Sequence, residues 1–271
     1  MNELYRRGMY GLAIGDAVGL PYQFLGRDEF ICTDMDGHGT YDMPAGTWSD
    51  DTSMAVATAH SLALNGGKVD VDDIRRRFLM WLREKNYIID ICYDVGGTTW
   101  RSLTSGKPGT EISNNGNGSL MRILPLAFTD CDDFEIRAVS GITHGHWIAC
   151  TGCVIYIGIA RRLIKGEILA DIVKTLDYEY PYHRLAKLAD IPRNEVKSTG
   201  YVVDTLEAAL WSLLHTDNYR DAILTAVNLG FDTDSVAAVA GGLAGIMYGV
   251  DQEWYERLRG KEVIDQIWEV E

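Results

Sequence analysis

Positive charge is scarce in this chain of 271 residues. Its 25 Lys and Arg face 39 Asp and Glu, a formal net charge of −14 at pH 7. That deficit argues against nucleic acid as a general partner, because neutralising phosphates takes clustered cations. A single phosphorylated ligand, which needs only local donors or metal ions, stays allowed. Proline is sparse as well, at 6 residues, and no Pro/Ser-rich linker or low-complexity run divides the sequence. One domain over residues 1–271 is the expectation. The 5 cysteines (Cys32, Cys92, Cys131, Cys150 and Cys153) are an odd number in a chain too long to need staples. This fits a reducing compartment, and the expectation is a cytoplasmic protein. Cys150-x-x-Cys153 has no second Cys or His pair at zinc spacing, and its apolar neighbours favour packing in a buried helix. Long apolar runs are lacking too. Residues 236–250 are too short and too glycine-rich to span a bilayer unsupported. The run after Arg6 and Arg7 is broken by Asp16, with no small-residue cleavage site in order. No membrane association is expected. Alternating Val, Ile or Thr runs are few, and helical periodicity dominates. The fold class predicted is all-α, a compact multi-helix globule of a dozen or so helices.

Against these absences stand two acidic clusters, one in each half. The first is Ser49-Asp50-Asp51-Thr52; the second is Asp232-Thr233-Asp234-Ser235. Each packs two carboxylates and two hydroxyls into four residues. Each then runs at once into small and apolar residues, 54–59 and 236–240. That pattern marks a helix N-terminus, where Asp, Ser and Thr are preferred caps and acids suit the helix dipole. Capping accounts for one Asp per helix. It does not account for two clusters opening helices too apolar to be exposed. Buried carboxylates cost several kcal/mol unless paired or metal-bound. Oxygen ligands from Asp and Ser suit a hard cation such as Mg²⁺ or Mn²⁺, and four carboxylates suffice for two ions.

Glycine recurs every four residues at Gly11, Gly15 and Gly19, and again after Ala237 at Gly241, Gly245 and Gly249. Glycine costs up to about 1 kcal/mol in a helix, so two central helices in close backbone contact are inferred, over 4–19 and from 236 on. Asp16 lies in the first, either as a helix-end polar group or as support for the acidic clusters. Residues 21–47 form a long loop. Helices are predicted over 50–65, 71–85, 90–104, 147–165 and 201–214, with a polar helix over 251–271. Residues 170–199 resist assignment. The Gly- and Asn-rich loop 105–119 exposes backbone N–H groups as an anion site would, and Arg122, one turn into the following helix, is a candidate phosphate partner. His144 and His146, at a loop–helix junction, are candidate ribose or phosphate contacts. Tyr201 is a candidate stacking or hydrogen-bonding group for a base or sugar.

In order along the chain, these blocks resemble the ADP-ribosylglycohydrolase family. Gly15-Asp16-Ala17-Val18-Gly19 resembles its N-terminal Gly-Asp-Ala-hydrophobic-Gly motif. Ser49-Asp50-Asp51-Thr52 and Asp232-Thr233-Asp234-Ser235 resemble its two metal motifs. Asp94-Val95-Gly96-Gly97-Thr98 resembles an Asp-hydrophobic-Gly-Asn-Thr motif of the dinitrogenase reductase-activating branch. Gly116 to Arg122, Thr143 to His146 and Tyr201 to Thr205 match further blocks, so the resemblance spans about residues 8–250. Gln23 departs from the pattern, since many members carry Glu there and one branch uses that Glu as its proposed acid.

The resemblance implies an all-α fold with a central dinuclear site, and metal-dependent removal of ADP-ribose from a modified protein. Ser49, Asp50, Asp51, Asp232, Asp234 and Ser235 are then the candidate ligands of two divalent cations, Mg²⁺ or Mn²⁺. Asp94, with Asp50 and Asp51, is the candidate catalytic group. Asn117, Gly118, Ser119, Met121, Arg122, His144, His146 and Tyr201 are the candidates for ADP-ribose itself. Asp94 matches the arginine-directed branch and Gln23 departs from the serine-directed one, so an N-glycosidic arginine linkage is expected. The alternatives are an O-linked substrate (ADP-ribosyl-serine or O-acetyl-ADP-ribose), a non-catalytic crystallin-like relative, and a metal-dependent phosphatase.

Overall fold

The computed structural model describes residues 3–269. Twelve α-helices order these residues: α1 Glu3–Gly19, α2 Asp50–Leu64, α3 Val71–Glu84, α4 Gly97–Ser105, α5 Asp133–Ser140, α6 Trp147–Ile164, α7 Leu169–Lys174, α8 Val202–Leu214, α9 Tyr219–Val227, α10 Thr233–Tyr248, α11 Gln252–Arg257 and α12 Lys261–Asp265. Short 3-10 turns join several of them, and the described residues hold isolated bridges but no strand. The all-α expectation holds.

The centre of the fold is the α1–α10 pair. A Cβ placed on Gly15 would lie 2.1 Å from Ala237 O, and one on Gly11 would lie 2.3 Å from Gly241 O. Backbone therefore touches backbone, which only glycine permits. The two contacts step one turn down α1 and one turn up α10, so the helices are antiparallel. This register sets the end of α1 beside the start of α10, where Thr233 Oγ1 donates to Gly19 O at 2.7 Å. Around the pair lies one contiguous apolar core that includes Trp48, Trp81, Tyr156 and Trp254. α6 is long and apolar enough to cross a membrane by length and composition, but 61% of it is buried inside the protein, as a core helix is. Cys150 and Cys153 sit within it, buried and free.

Three local readings are corrected, and one helix is added. The helix expected over 90–104 starts only at Gly97, because Asp90 and Asp94 take positive φ of 61° and 55°, which breaks a helix. No helix follows residue 119 directly; Leu124–Phe128 is a 3-10 turn, so Arg122 stands in a turn before it. α5 was not foreseen, although its capping box (Asp132 with Glu135) is a readable start signal. The tail is two short helices, split where Gly260 adopts a φ of 64°. Its last two residues lie outside those described.

Candidate active site

The site is assembled by Asp16. It is fully buried in α1, and its carboxylate accepts from Ser49 N at 3.0 Å, Thr52 N at 3.0 Å and Thr52 Oγ1 at 2.6 Å. These donors are the cap and first turn of α2, so Asp16 fixes that helix N-terminus against α1. Since α1 runs antiparallel to α10, the start of α10 arrives at the same place. Asp51 Oδ2 receives hydrogen bonds from both helices: Ser49 Oγ at 3.1 Å and Ser235 Oγ at 3.3 Å. From the Gly- and Asn-rich loop, Asn117 Nδ2 donates to Asp232 Oδ2 at 2.6 Å and to Thr205 Oγ1 at 3.0 Å.

The two acidic motifs thus meet, and their carboxylates are left in want of positive charge. Asp50, Asp51 and Asp234 are buried, and Asp51 Oδ1 and both oxygens of Asp234 have no hydrogen-bond partner. Among the described residues, the ion pairs of Arg and Lys lie elsewhere, as in Arg77–Asp73 and Arg184–Glu207. Burial first, then the neighbouring acids, pushes the Asp50, Asp51 and Asp234 carboxyls well above the ordinary range. Asp232 is raised for the same first reason, and Asp16 is raised to about 6 by its burial. Among the described residues no three acids, histidines or cysteines already converge on a single ion position. The donor set nonetheless fits a hard cation: oxygen only, buried, short of partners and rich in negative charge.

Beside the cluster opens a cleft of about 260 Å³. Asp50, Asp94 and Asp232 line it, together with Gln23, Phe24, Asn117, Gly118, Met121, His144 and Ser235; its lining includes no Lys or Arg. Asp94 is held on both oxygens. Tyr41 Oη donates to Oδ1 at 2.6 Å and Gln23 Nε2 donates to Oδ2 at 2.9 Å. These two bonds fix the orientation of the carboxyl group at the cleft. Neither partner had been singled out by sequence as a support for Asp94, since both come from the loop before α2.

The residues read from sequence as ADP-ribose contacts divide into two groups. Asn117, Gly118, Met121 and His144 line the cleft. Burial, with the Arg122 charge nearby, lowers His144 to about 3, so its ring is neutral. Thr143 Oγ1 accepts from Arg122 at 2.9 Å and shares a hydrogen bond with His144 Nδ1 at 2.8 Å. Arg122, Ser119, His146 and Tyr201 do not line the cleft. Arg122 is fully buried; it donates to Gly118 O and Thr143 Oγ1, and its guanidinium lies 4.6 Å from the Phe78 ring centroid. Burial lowers it to about 10, so it remains a cation. It braces the loop from behind, which corrects its reading as a phosphate partner. Ser119 is buried against Ser140 and Cys153. His146 caps α6 by accepting from Ile148 N at 3.3 Å. Tyr201 is the N-terminal flanking residue of α8, bridged to Gly116 by backbone.

Comparison with known proteins agrees with this geometry. Residues 2–270 match the ADP-ribosylglycohydrolase family. The chain is 36% identical over 279 residues to ADP-ribosylarginine hydrolase Tri1 of Pseudomonas putida (strain GB-1), covering 96% of this chain and 75% of that one. It is 32% identical to the ADP-ribosyl-[dinitrogen reductase] glycohydrolase of Rhodospirillum rubrum, covering 89% and 84%. A solved structure described as an ADP-ribosylglycohydrolase-related protein complex superposes with a TM-score of 0.82 at 29% identity, covering 99% of this chain and 98% of that one. Because the match takes in both acidic motifs and the helices that join them, this chain belongs to the ADP-ribosylglycohydrolase family.

Proposed function

We propose that the protein is a divalent-metal-dependent hydrolase that removes ADP-ribose from ADP-ribosylated arginine of a protein, cleaving the N-glycosidic bond at the distal ribose C1″. The observation that carries this reading is Asp94: an acid clasped by Tyr41 and Gln23, at a cleft lined by acids and free of Lys and Arg. A guanidinium leaving group is cationic, and a fixed carboxylate meets it with charge-assisted hydrogen bonds. The curated relatives at 36% and 32% identity, one named an arginine hydrolase, support the same linkage.

Ser49, Asp50, Asp51, Asp232, Asp234 and Ser235 are the residues that would hold the cations. Such ions, when bound, bind sugar hydroxyls and lower the pKa of water. The chain's own groups do the rest. Asn117 orients Asp232 through its side-chain amide, and Asp16 sets the angle of the α2 terminus. His144, neutral, sets a hydrogen-bonding imidazole at the cleft. Glycosidic cleavage develops positive charge at the anomeric carbon, and the carboxylates beside the cleft stabilise it. Asp94 orients the leaving guanidine or exchanges a proton with it.

The test is a panel of purified arginine-, serine- and glutamate-linked ADP-ribosyl substrates assayed with Mg²⁺ and Mn²⁺. Release of ADP-ribose chiefly from arginine is expected. Faster release from serine would overturn the linkage, and release of phosphate instead of ADP-ribose would overturn the reaction class.

A further inference from the structure

Phe24 is a bulky residue held in the left-handed region, with a φ of 70°, and 66% of its surface is exposed. Both features are unfavourable. A bulky residue at positive φ is a rare, strained arrangement, and such strain persists only where the surroundings enforce it, commonly at ligand sites. The enforcing contacts are specific. Phe24 N donates to Phe231 O at 2.6 Å, and Phe231 N donates back to Leu25 O at 2.7 Å. Phe231 is itself at a φ of 65° and immediately precedes Asp232. Arg27 fastens the same loop by donating to Leu229 O at 2.9 Å. The ring of Phe24 is thus presented at the cleft on a clamped backbone, one residue from the Gln23 that holds Asp94.

The mechanism above assigns this ring nothing. Its neighbours define what it suits. The cleft supplies carboxylates and an aromatic face, and its lining offers no Lys or Arg. A planar cation is complementary to both: its edge hydrogen-bonds a carboxylate while its face lies on the ring. We infer that Phe24 is the acceptor-side contact of the cleft, stacking on the guanidinium of the ADP-ribosylated arginine while Asp94 meets its edge. This inference rests on the arginine reading above and adds the residue that selects for it.

The experiment measures hydrolysis of ADP-ribosylarginine and of an ADP-ribosylserine peptide, and binding of free ADP-ribose by calorimetry, for wild type, Phe24→Leu and Phe24→Trp. Loss of a cation–π contact should raise the KM of Phe24→Leu for ADP-ribosylarginine by roughly 3- to 30-fold. Phe24→Trp, which offers a stronger cation-binding face, should hold KM at or below the wild-type value. Affinity for free ADP-ribose, which lacks the guanidinium, should not change in either variant. An unchanged KM in Phe24→Leu overturns the inference, as does a parallel loss of ADP-ribose affinity, which would place adenine or ribose on the ring. If Phe24→Leu does not fold, a raised KM in a folded Phe24→Trp overturns it equally. A wild type that leaves ADP-ribosylarginine intact while cleaving the serine peptide overturns the arginine reading itself, a result separable from failure of the Phe24 contact alone.

Discussion

Gln23 donates its side-chain amide to Asp94 Oδ2 at 2.9 Å. The two residues are 71 positions apart, one in the long loop before α2 and the other at the entry to α4. A carboxylate at position 23 would face Asp94 with like charge; the amide clasps it instead. With Tyr41 on the other oxygen, Asp94 is ordered at the cleft before substrate arrives.

Asp94→Asn should therefore depress hydrolysis of ADP-ribosylarginine by on the order of 10²-fold or more if Asp94 acts as acid or base. Calorimetry with free ADP-ribose should show little change, because that ligand carries no guanidinium. A variant that keeps wild-type kcat/KM would remove Asp94 from the chemistry.

Gln23→Glu makes the opposite change. Two carboxylates would then share one hydrogen-bonding distance, and the pair retains a proton to higher pH than one alone. Turnover of the arginine substrate should fall, and the acid limb of its pH–rate profile should move upward. A profile that superposes on that of wild type would show that residue 23 does not sense Asp94.

The helix pair beneath the site gives a prediction about stability. In Gly15→Ala the new methyl would meet Ala237 O at 2.1 Å, backbone against backbone, so α1 and α10 must separate. Overpacking of this kind costs about 1–3 kcal/mol or more. Gly158→Ala in α6 has nothing within 4 Å of its Cβ and should stabilise by about 0.5–1 kcal/mol. Denaturant midpoints of the two variants should move in opposite directions. Equal shifts would contradict the close packing.

These helices were legible in the sequence for the same reason that they pack: glycine every fourth residue leaves a groove that only another backbone fills. The acidic motifs were legible too, because two carboxylates with two hydroxyls ahead of an apolar helix conflict with simple burial. Arg122 was misread. Its sequence neighbourhood is that of an anion loop, whereas its fate is set by Phe78 and Thr143, 44 residues before and 21 after. Tyr41 left no local signal, since its partner Asp94 is 53 residues away. Residues 170–199 hold α7 and short 3-10 turns, whose periodicity is too brief to read.

Glu207, in α8, gives a pH dependence away from the cleft. It is buried, its Oε1 has no partner, and Arg184 approaches Oε2 only to 3.6 Å. Burial, partly offset by Arg184, raises it from 4.5 to about 7. A carboxyl raised in the folded state binds its proton more tightly there than when unfolded, so its contribution is full below about pH 4.5 and is lost as pH rises through about 7. Glu207→Gln removes that loss. Relative to wild type, the variant should gain stability between pH 5 and pH 8, on the order of 1 kcal/mol given that Arg184 reaches solvent. Urea unfolding at several pH values measures it. A difference between the two proteins that stays flat with pH would rule out Glu207 as the titrating group.

Asp234 tests the cation site without relying on turnover. Both of its oxygens are buried without partners, and burial together with Asp232 and Asp51 raises its pKa. A buried charge lacking a partner costs folding free energy, so in chelator-treated protein Asp234→Asn should raise the thermal midpoint by several degrees. Adding Mg²⁺ or Mn²⁺ should reverse the order. A ligand bound only by the folded state stabilises in proportion to the logarithm of its concentration over Kd, and the wild type, with one more anionic ligand, should gain more than the variant. Turnover should be lost in the variant at every metal concentration. The crossing of the two stability curves is the diagnostic result, because a residue that merely capped α10 would lower the midpoint when replaced, with and without metal alike. A wild-type midpoint indifferent to both ions, beside a chelator-treated variant no more stable than wild type, would leave the acidic cluster without a cation to hold.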